Sequence, residues 1–312
     1  MDLKYENSKI CVAGLGGVGG FIGGALAKKY PKVAFYARGA RKEAIQKNGL
    51  TIQSELMGDY QVKPEKCSEN AGELGRMDYI FLSVKNYSLE EICRQIYPMI
   101  DDTTVIIPIM NGIDPSVRTR DYLGKGIVLK SLIYIVSGSG EDYRIVQNGN
   151  YATVHIGPAN PAEKEKQAAL QVNELLNGAG IKCIIDEDIE AAVWKKYILN
   201  CAFNILTAYY SADIGELRKD PDKVKEYRSL LEEAYLIGKR EGINLPEDIA
   251  EEHFNQFLYK LNADATSSLR RDIDAGRPNE LETFSGYLLK KGKQLGIELP
   301  VTAYFYEKLK IR

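Results

Sequence analysis

The chain has 312 residues, 45% hydrophobic and 27% charged, with a formal net charge of -2. That length admits two domains and a sizeable core, and the near-neutral balance without a long basic run argues against nucleic acid as a partner. The N-terminus MDLKYENSKICVAG carries charges where a signal peptide needs an apolar segment, and no apolar run approaches the roughly 18 residues of a membrane span, so a cytoplasmic protein with no membrane partner is expected.

KICVA and KVAFYA read as short strands separated by a glycine-rich turn and the helical stretch GGFIGGALAKKY. RKEAIQKNG reads as a helix stopped at Asn-Gly, and LTIQS as the next strand. DYIFLSVK, TTVIIPIM and GIVLKSLIYIV are apolar runs of strand length, accompanied by the amphipathic helices YSLEEICRQIYPMI and PAEKEKQAALQVNELLNGAG. In DYRIVQNGNYATVHIG, Asn-Gly between two β-rich runs predicts an antiparallel hairpin. The alternation predicts an α/β fold: a Rossmann-type nucleotide-binding domain with a mainly parallel sheet over residues 1–187. Helical period then prevails through WKKYILN, DKVKEYRSLLEEAYLIGKREG, PEDIAEEHFNQFLYKL, TSSLRRDIDAG and NELETFSGYLLKKGKQLG, so residues 188–312 are expected to form an all-α C-terminal domain for substrate binding and catalysis.

The five cysteines are scattered without a CxxC pair and read as reduced thiols. Two histidines, His155 and His253, are too few for a histidine-based metal cluster, and no metal is expected. A proton donor is then to be sought among Lys, Glu and Tyr.

CVAGLGGVGGFIGG sets Gly14-x-Gly16-x-x-Gly19 directly after the first strand and at the opening of a helix. The first glycine permits a tight turn, the second lets backbone approach a pyrophosphate, and the third lets helix pack closely on strand. Gly14, Leu15, Gly16, Gly17, Val18 and Gly19 are therefore the candidate cofactor loop, with the helix N-terminus facing the phosphates. NAD-binding units usually place an acid about 20 residues further on. The second strand instead ends AFYARGARKE, where Arg38, assisted by Arg41, can pair with a 2'-phosphate. NADPH is the expected cofactor; a solvated basic turn is the plainer alternative.

In WKKYILNCAFNILTAYY, Lys196, Asn200 and Asn204 recur every four residues and share one helix face. Reduction of a ketone needs a hydride from the cofactor and a proton for the oxygen, which a lysine ammonium can polarise and then protonate. Lys196 sits on the first helix after the nucleotide domain, where an interdomain cleft is expected. A snorkelling lysine and two asparagines bonding between helices remain the alternative. Further on, Ser268 and Asp272 share a face, Gly276 and Pro278 stop that helix, and Glu280 opens the next. A hydroxyl, two carboxylates and a helix N-terminus suit a hydroxylated organic acid. The plainer reading makes Ser267 and Ser268 caps and leaves the acids on solvated faces.

These segments together resemble the ketopantoate reductase family (2-dehydropantoate 2-reductases) over nearly the whole chain. The matching pieces are GLGGVGG, YARGARKEAIQKNGL, LSVKNY, MNGI, WKKYILNCAFNILTA, SSLRRDIDAGRPNELE and LLKKGKQLGIELPVT. The resemblance implies Lys196 as catalytic proton donor, assisted by Glu280. It implies Asn200, Asn204, Ser268 and Asp272 as substrate-binding residues, and Lys85 and Asn111 as cofactor contacts beside Arg38. The implied reaction is NADPH-dependent reduction of 2-dehydropantoate to (R)-pantoate on the route to pantothenate and coenzyme A. The implied partner is a small 2-oxo acid, and a homodimer is allowed. Two departures stand out: Ile214 replaces an asparagine found in some members before Gly-Glu-Leu, and DPSVRTRDYLG lacks an expected acid. They leave open a reductase of another branched 2-oxo acid. A non-catalytic NADPH-binding regulator is a further alternative, although such a protein has no use for a proton donor.

Overall fold

The computed structural model describes residues 3–160 and 162–311. It divides into two units, Met1–Ile189 and Glu190–Arg312. The first unit opens with β1 (Ile10–Ala13), α1 (Gly17–Lys29), β2 (Val33–Tyr36) and α2 (Gly39–Asn48). Three short strands follow, β3 (Leu50–Ser54), β4 (Tyr60–Val62) and β5 (Lys66–Ser68), then α3 (Ala71–Leu74) and β6 (Tyr79–Leu82). The unit continues with α4 (Leu89–Ile96), β7 (Val105–Pro108), α5 (Pro115–Leu123) and β8 (Ile127–Val128). It closes on β9 (Lys130–Ser139), β10 (Ile145–Gly157), α6 (Glu163–Gly178) and β11 (Lys182–Ile185).

Six strands form one parallel sheet in the order β5-β2-β1-β6-β7-β8. β1, β2, β6 and β7 are buried at every position, as strands covered on both faces must be. Ile10 and Val12 point into a core shared with α1 and α6, whereas Cys11 and Ala13 point into a second core with α3, α4 and α5. The strand order reverses between β1 and β6. In such doubly wound sheets the crevice beyond the carboxyl ends at that point takes the ligand.

The remaining strands build a second sheet, β11-β10-β3-β4, with β9 antiparallel to β10. It lies against α1, so that helix is enclosed by two sheets. A Cβ at Gly20 would strike Ile145 of β10, and one at Gly24 would come within 2.7 Å of Ile52 Cδ1 of β3. This explains a first helix that is glycine-rich and apolar around its whole circumference. LTIQS therefore joins the second sheet, and GIVLKSLIYIV is divided between both, as β8 and β9.

The predicted hairpin does not form: its two runs are one continuous strand, β10, and the antiparallel partner is β9. Asn148 and Gly149 lie inside β10, where the register to β9 shifts between Asn148 and Ala152 and Gly149 has φ 80°. The chain reverses at Gly140–Arg144, closed by a Gly140 N–H to Arg144 carbonyl bond of 2.9 Å, with Tyr143 at φ 65°. β9 is long enough to pair on both sides of Asn-Gly, so cross-strand bonding absorbs the pair as a bulge.

The second unit is helical. Its elements are α7 (Ile189–Tyr210), α8 (Ile214–Arg218), α9 (Pro221–Arg240), α10 (Ile249–Tyr259), α11 (Ser268–Asp274), α12 (Tyr287–Leu295) and α13 (Pro300–Lys310). A wide π-helical turn, Glu282–Gly286, leads into α12. α7 buries Trp194, Tyr197, Ile198, Cys201, Ala202, Ile205 and Leu206, and Tyr227 of α9 stacks on Phe257 of α10 at 3.8 Å. No helix among the described residues is long and apolar enough to cross a membrane.

Candidate active site

Gly14, Gly16 and Gly19 of the loop sit in three different surroundings. Gly14 has φ 93°, and a Cβ there would lie 2.7 Å from Val84 Cγ1, beyond β6. A Cβ at Gly19 would run into the Gly14 carbonyl and come within 2.9 Å of Ser83 Cβ. At Gly16 nothing lies within 4 Å of the same position. Open space at the second glycine, beside the start of α1, is what a pyrophosphate needs to approach the backbone. Leu15 and Val18 turn their side chains toward the core, so they can serve a ligand only through backbone.

Lys85 and Asn111 follow the adjacent strands β6 and β7, on the same edge as Gly14. Asn86 Nδ2 donates to the Asn111 carbonyl at 2.8 Å and Arg118 Nη2 to the Asn86 carbonyl at 3.0 Å, which ties these loops together. Beyond β2, Arg38 is half exposed and its Nη1 lies 2.6 Å from Glu91 Oε1 of α4. Glu91 also accepts from Gln95 Nε2 at 2.9 Å, and Gln95 Oε1 accepts from the Tyr36 hydroxyl at 3.0 Å. The expected assistance from Arg41 is not what the structure contains. Arg41 donates to the Leu15 carbonyl and to Ser139 Oγ and lies 5.0 Å over the Tyr143 ring, so it braces the glycine loop instead. Burial lowers its pKa.

In the second unit, Lys196 keeps some exposed surface but protein crowds its ammonium. Desolvation pushes its pKa down to about 8, against the pull of the Glu280 carboxylate, which is itself buried. Asn204, one turn beyond Asn200, is buried and donates through Nδ2 to the Asn200 carbonyl at 3.0 Å. A carbonyl neighbour accepts only, so the amide orientation is settled and Oδ1 faces away as an acceptor. That oxygen is buried with no hydrogen-bond partner.

Thr207 Oγ1 lies 2.7 Å from Ser267 Oγ, joining α7 to the start of α11. Ser267 caps that helix by accepting from the Arg270 N–H at 3.1 Å, and Ser268 is its half-buried first residue. Thr207 lies one turn past Asn204, within the matching segment WKKYILNCAFNILTA, but period alone does not single out its hydroxyl. Asp272 is buried and paired to Arg277, with Nη2 at 3.0 Å and Nε at 3.2 Å from Oδ1, a pairing that helps hold the turn after α11. Ile214 is wholly buried as the first residue of α8, beneath a capping box made by Asp213 and Glu216.

A doubly wound sheet carrying this loop, together with a helical unit carrying a crowded lysine and a buried glutamate, defines the class of a Rossmann-type oxidoreductase. The family profile described as Ketopantoate reductase PanE/ApbA matches residues 10–161, and that described as Ketopantoate reductase PanE/ApbA C terminal matches 188–312. An uncharacterized oxidoreductase of Bacillus subtilis, YkpB, is 30% identical over 303 residues, covering 97% of this chain and 98% of the relative. The crystal structure of 2-dehydropantoate 2-reductase from Porphyromonas gingivalis superposes with a TM-score of 0.81 at 28% identity, over 97% of this chain and 99% of that one. At 20% identity, a D-mandelate dehydrogenase solved with NADH and anilino(oxo)acetate has the same fold, with a TM-score of 0.87 over 97% of each chain. The chain belongs to the ketopantoate reductase PanE/ApbA family.

Proposed function

We propose that the protein reduces 2-dehydropantoate to (R)-pantoate with NADPH, a step toward pantothenate and coenzyme A. The observation that carries this reading is the crowded Lys196 ammonium beside the buried Glu280, on the same helix face as Asn204 with its unpartnered Oδ1. When bound, the nicotinamide cofactor supplies hydride to the ketone carbon. Lys196, protonated at neutral pH, donates a hydrogen bond to the ketone oxygen and yields its proton as that oxygen becomes an alcohol. Glu280 keeps the ammonium charged and oriented. Asn204 Oδ1 accepts from a substrate hydroxyl, which favours a hydroxylated 2-oxo acid over a purely aliphatic one. Asn200 and Ser268 offer further polar contacts, and Asp272 acts through Arg277.

In the first unit the backbone of Gly14–Gly19 would hold the pyrophosphate, Lys85 and Asn111 would contact the cofactor beside it, and Arg38 would pair with the 2'-phosphate. The protein would work on a small molecule in the cytoplasm, with its five cysteines as free thiols, as a monomer or homodimer. A second reading, a reductase of another branched 2-oxo acid, is favoured by Ile214, whose apolar side chain supplies no donor or acceptor. The test is oxidation of NADPH and of NADH by purified protein with 2-dehydropantoate and with a panel of 2-oxo acids lacking the hydroxyl. Turnover confined to the panel would transfer the function to the second reading.

A further inference from the structure

Tyr197 follows Lys196 directly in α7 and is almost wholly buried, about 100° further round the helix. Its ring makes edge contacts with Trp194 at 5.6 Å and with Tyr287 at 5.8 Å. Its hydroxyl lies 2.9 Å from the Thr283 carbonyl and 2.7 Å from that of Phe284. Both carbonyls belong to the π-helical turn Glu282–Gly286. Cys201, one turn beyond Tyr197, reaches the same Phe284 carbonyl with Sγ at 4.0 Å.

A π-turn is wider than an α-turn and displaces carbonyls from the regular α ladder, where a buried carbonyl can be satisfied by a donor from outside the helix. Here the donor comes from the residue next to the candidate proton donor. The same two residues are tied back to Glu280, whose carbonyl accepts from the N–H groups of Thr283 at 3.0 Å and Phe284 at 3.3 Å. The carboxylate beside Lys196 is therefore carried by a wide turn that Tyr197 grips from α7.

We propose that Tyr197 is a positioning residue for the reaction: by holding the π-turn open, it sets Glu280 against Lys196. This rests on the reading in which Lys196 and Glu280 act on the substrate. The proximity term in catalysis is steep, and a misplacement on the order of 1 Å costs about 100-fold. Removing one hydroxyl from a ring that stays packed should move Glu280 by less than that.

The test is a double-mutant cycle on kcat with Tyr197→Phe, Glu280→Gln and the pair, alongside thermal melting and NADP⁺ binding. Tyr197→Phe is expected to lower kcat about tenfold, to leave NADP⁺ affinity unchanged and to melt as a cooperative unit. In the Glu280→Gln background the same substitution is expected to cost less than about twofold, because the group through which it acts is gone. Fully additive losses, or a Tyr197→Phe enzyme with wild-type kcat, would overturn the proposal. Deletion of Ser285 reaches the same turn without touching Tyr197. Ser285 Oγ is buried without a partner, and removing the residue returns the stretch to α-helical spacing. It should abolish turnover while NADP⁺ still binds, and wild-type turnover would again refute the role. Wild-type protein that binds NADP⁺ but reduces no 2-oxo acid would count against the catalytic reading itself, a separate result from an uncoupled cycle.

Discussion

The Lys196–Glu280 pair predicts a particular pH dependence. The fall from the ordinary lysine value of 10.5 to about 8, at about 1.4 kcal/mol per pH unit, amounts to about 3 kcal/mol held against the ammonium. Desolvation supplies that penalty and Glu280 offsets part of it. Reduction needs the protonated lysine, so kcat/KM should be flat near pH 7, where about 90% of Lys196 carries its proton, and should fall about tenfold per unit above pH 8. Oxidation of pantoate, which needs the neutral amine, should rise over the same range. Glu280→Gln removes the charge that raises the pKa, so the falling limb should move to lower pH. Initial rates of NADPH loss from about pH 6 to about pH 10, in both proteins, measure this directly. A limb near 10 in the wild type, or one that Glu280→Gln leaves in place, would refute the electrostatic argument. Folding stability carries the same signature. Between pH 8 and 10.5 the unfolded chain keeps a proton that the folded chain has released, so stability should increase with pH there.

Gly16→Ala and Gly19→Ala should separate binding from packing. The first should leave stability within about 0.5 kcal/mol and weaken NADP⁺ at least about tenfold, whereas the second should cost about 1–3 kcal/mol in denaturant unfolding. Equal effects of the two on stability would contradict the space seen at Gly16. Glu91→Gln should release Arg38 and raise the NADPH-over-NADH binding ratio about twofold to fivefold, the scale of an exposed ion pair. An unchanged ratio by titration calorimetry would remove Arg38 from the 2'-phosphate site. Asn204→Leu should lower kcat/KM for 2-dehydropantoate by about 100-fold while affecting 2-oxo acids without a hydroxyl far less. Equal losses on both substrates would mean that Oδ1 does not receive the hydroxyl.

Local rules carried the fold a long way and stopped at identifiable places. The buried runs of β1, β2, β6 and β7, with helices among them, were enough to read a parallel doubly wound sheet. Gly14, Gly16 and Gly19 of the phosphate loop are legible because tight turns and close approaches have local spacings. Gly20 and Gly24 are different, since their reason lies in Ile145 and Ile52, residues far away in sequence. Asn148-Gly149 has a strong turn preference of its own, and pairing with β9 overrides it. In the helical unit, a period of four showed that Lys196, Asn200 and Asn204 share a face. Period does not tell which amide end of Asn204 is taken, nor that Asp272 is held by Arg277. That pair forms only because the chain after α11 turns back at Gly276, which has φ 60°. Arg38 and Glu91 stand 53 residues apart, and no short-range pattern foretells their pairing.

The enclosure of α1 between two sheets bears on the entropy of cofactor capture. A helix exposed along one side keeps some freedom to rock, and a ligand that docks at its end must first arrest that motion. Here the helix is gripped from both sides at Gly20, Gly23 and Gly24 by Ile145, Phe35 and Ile52, while Arg41 ties down the loop before it. The N–H groups at its start are held in place before any phosphate arrives, and little ordering is left to subtract from the affinity. Opening a cavity at Ile52 or Ile145, which pack on Gly24 and Gly20, should therefore weaken nucleotide binding by restoring mobility to the helix.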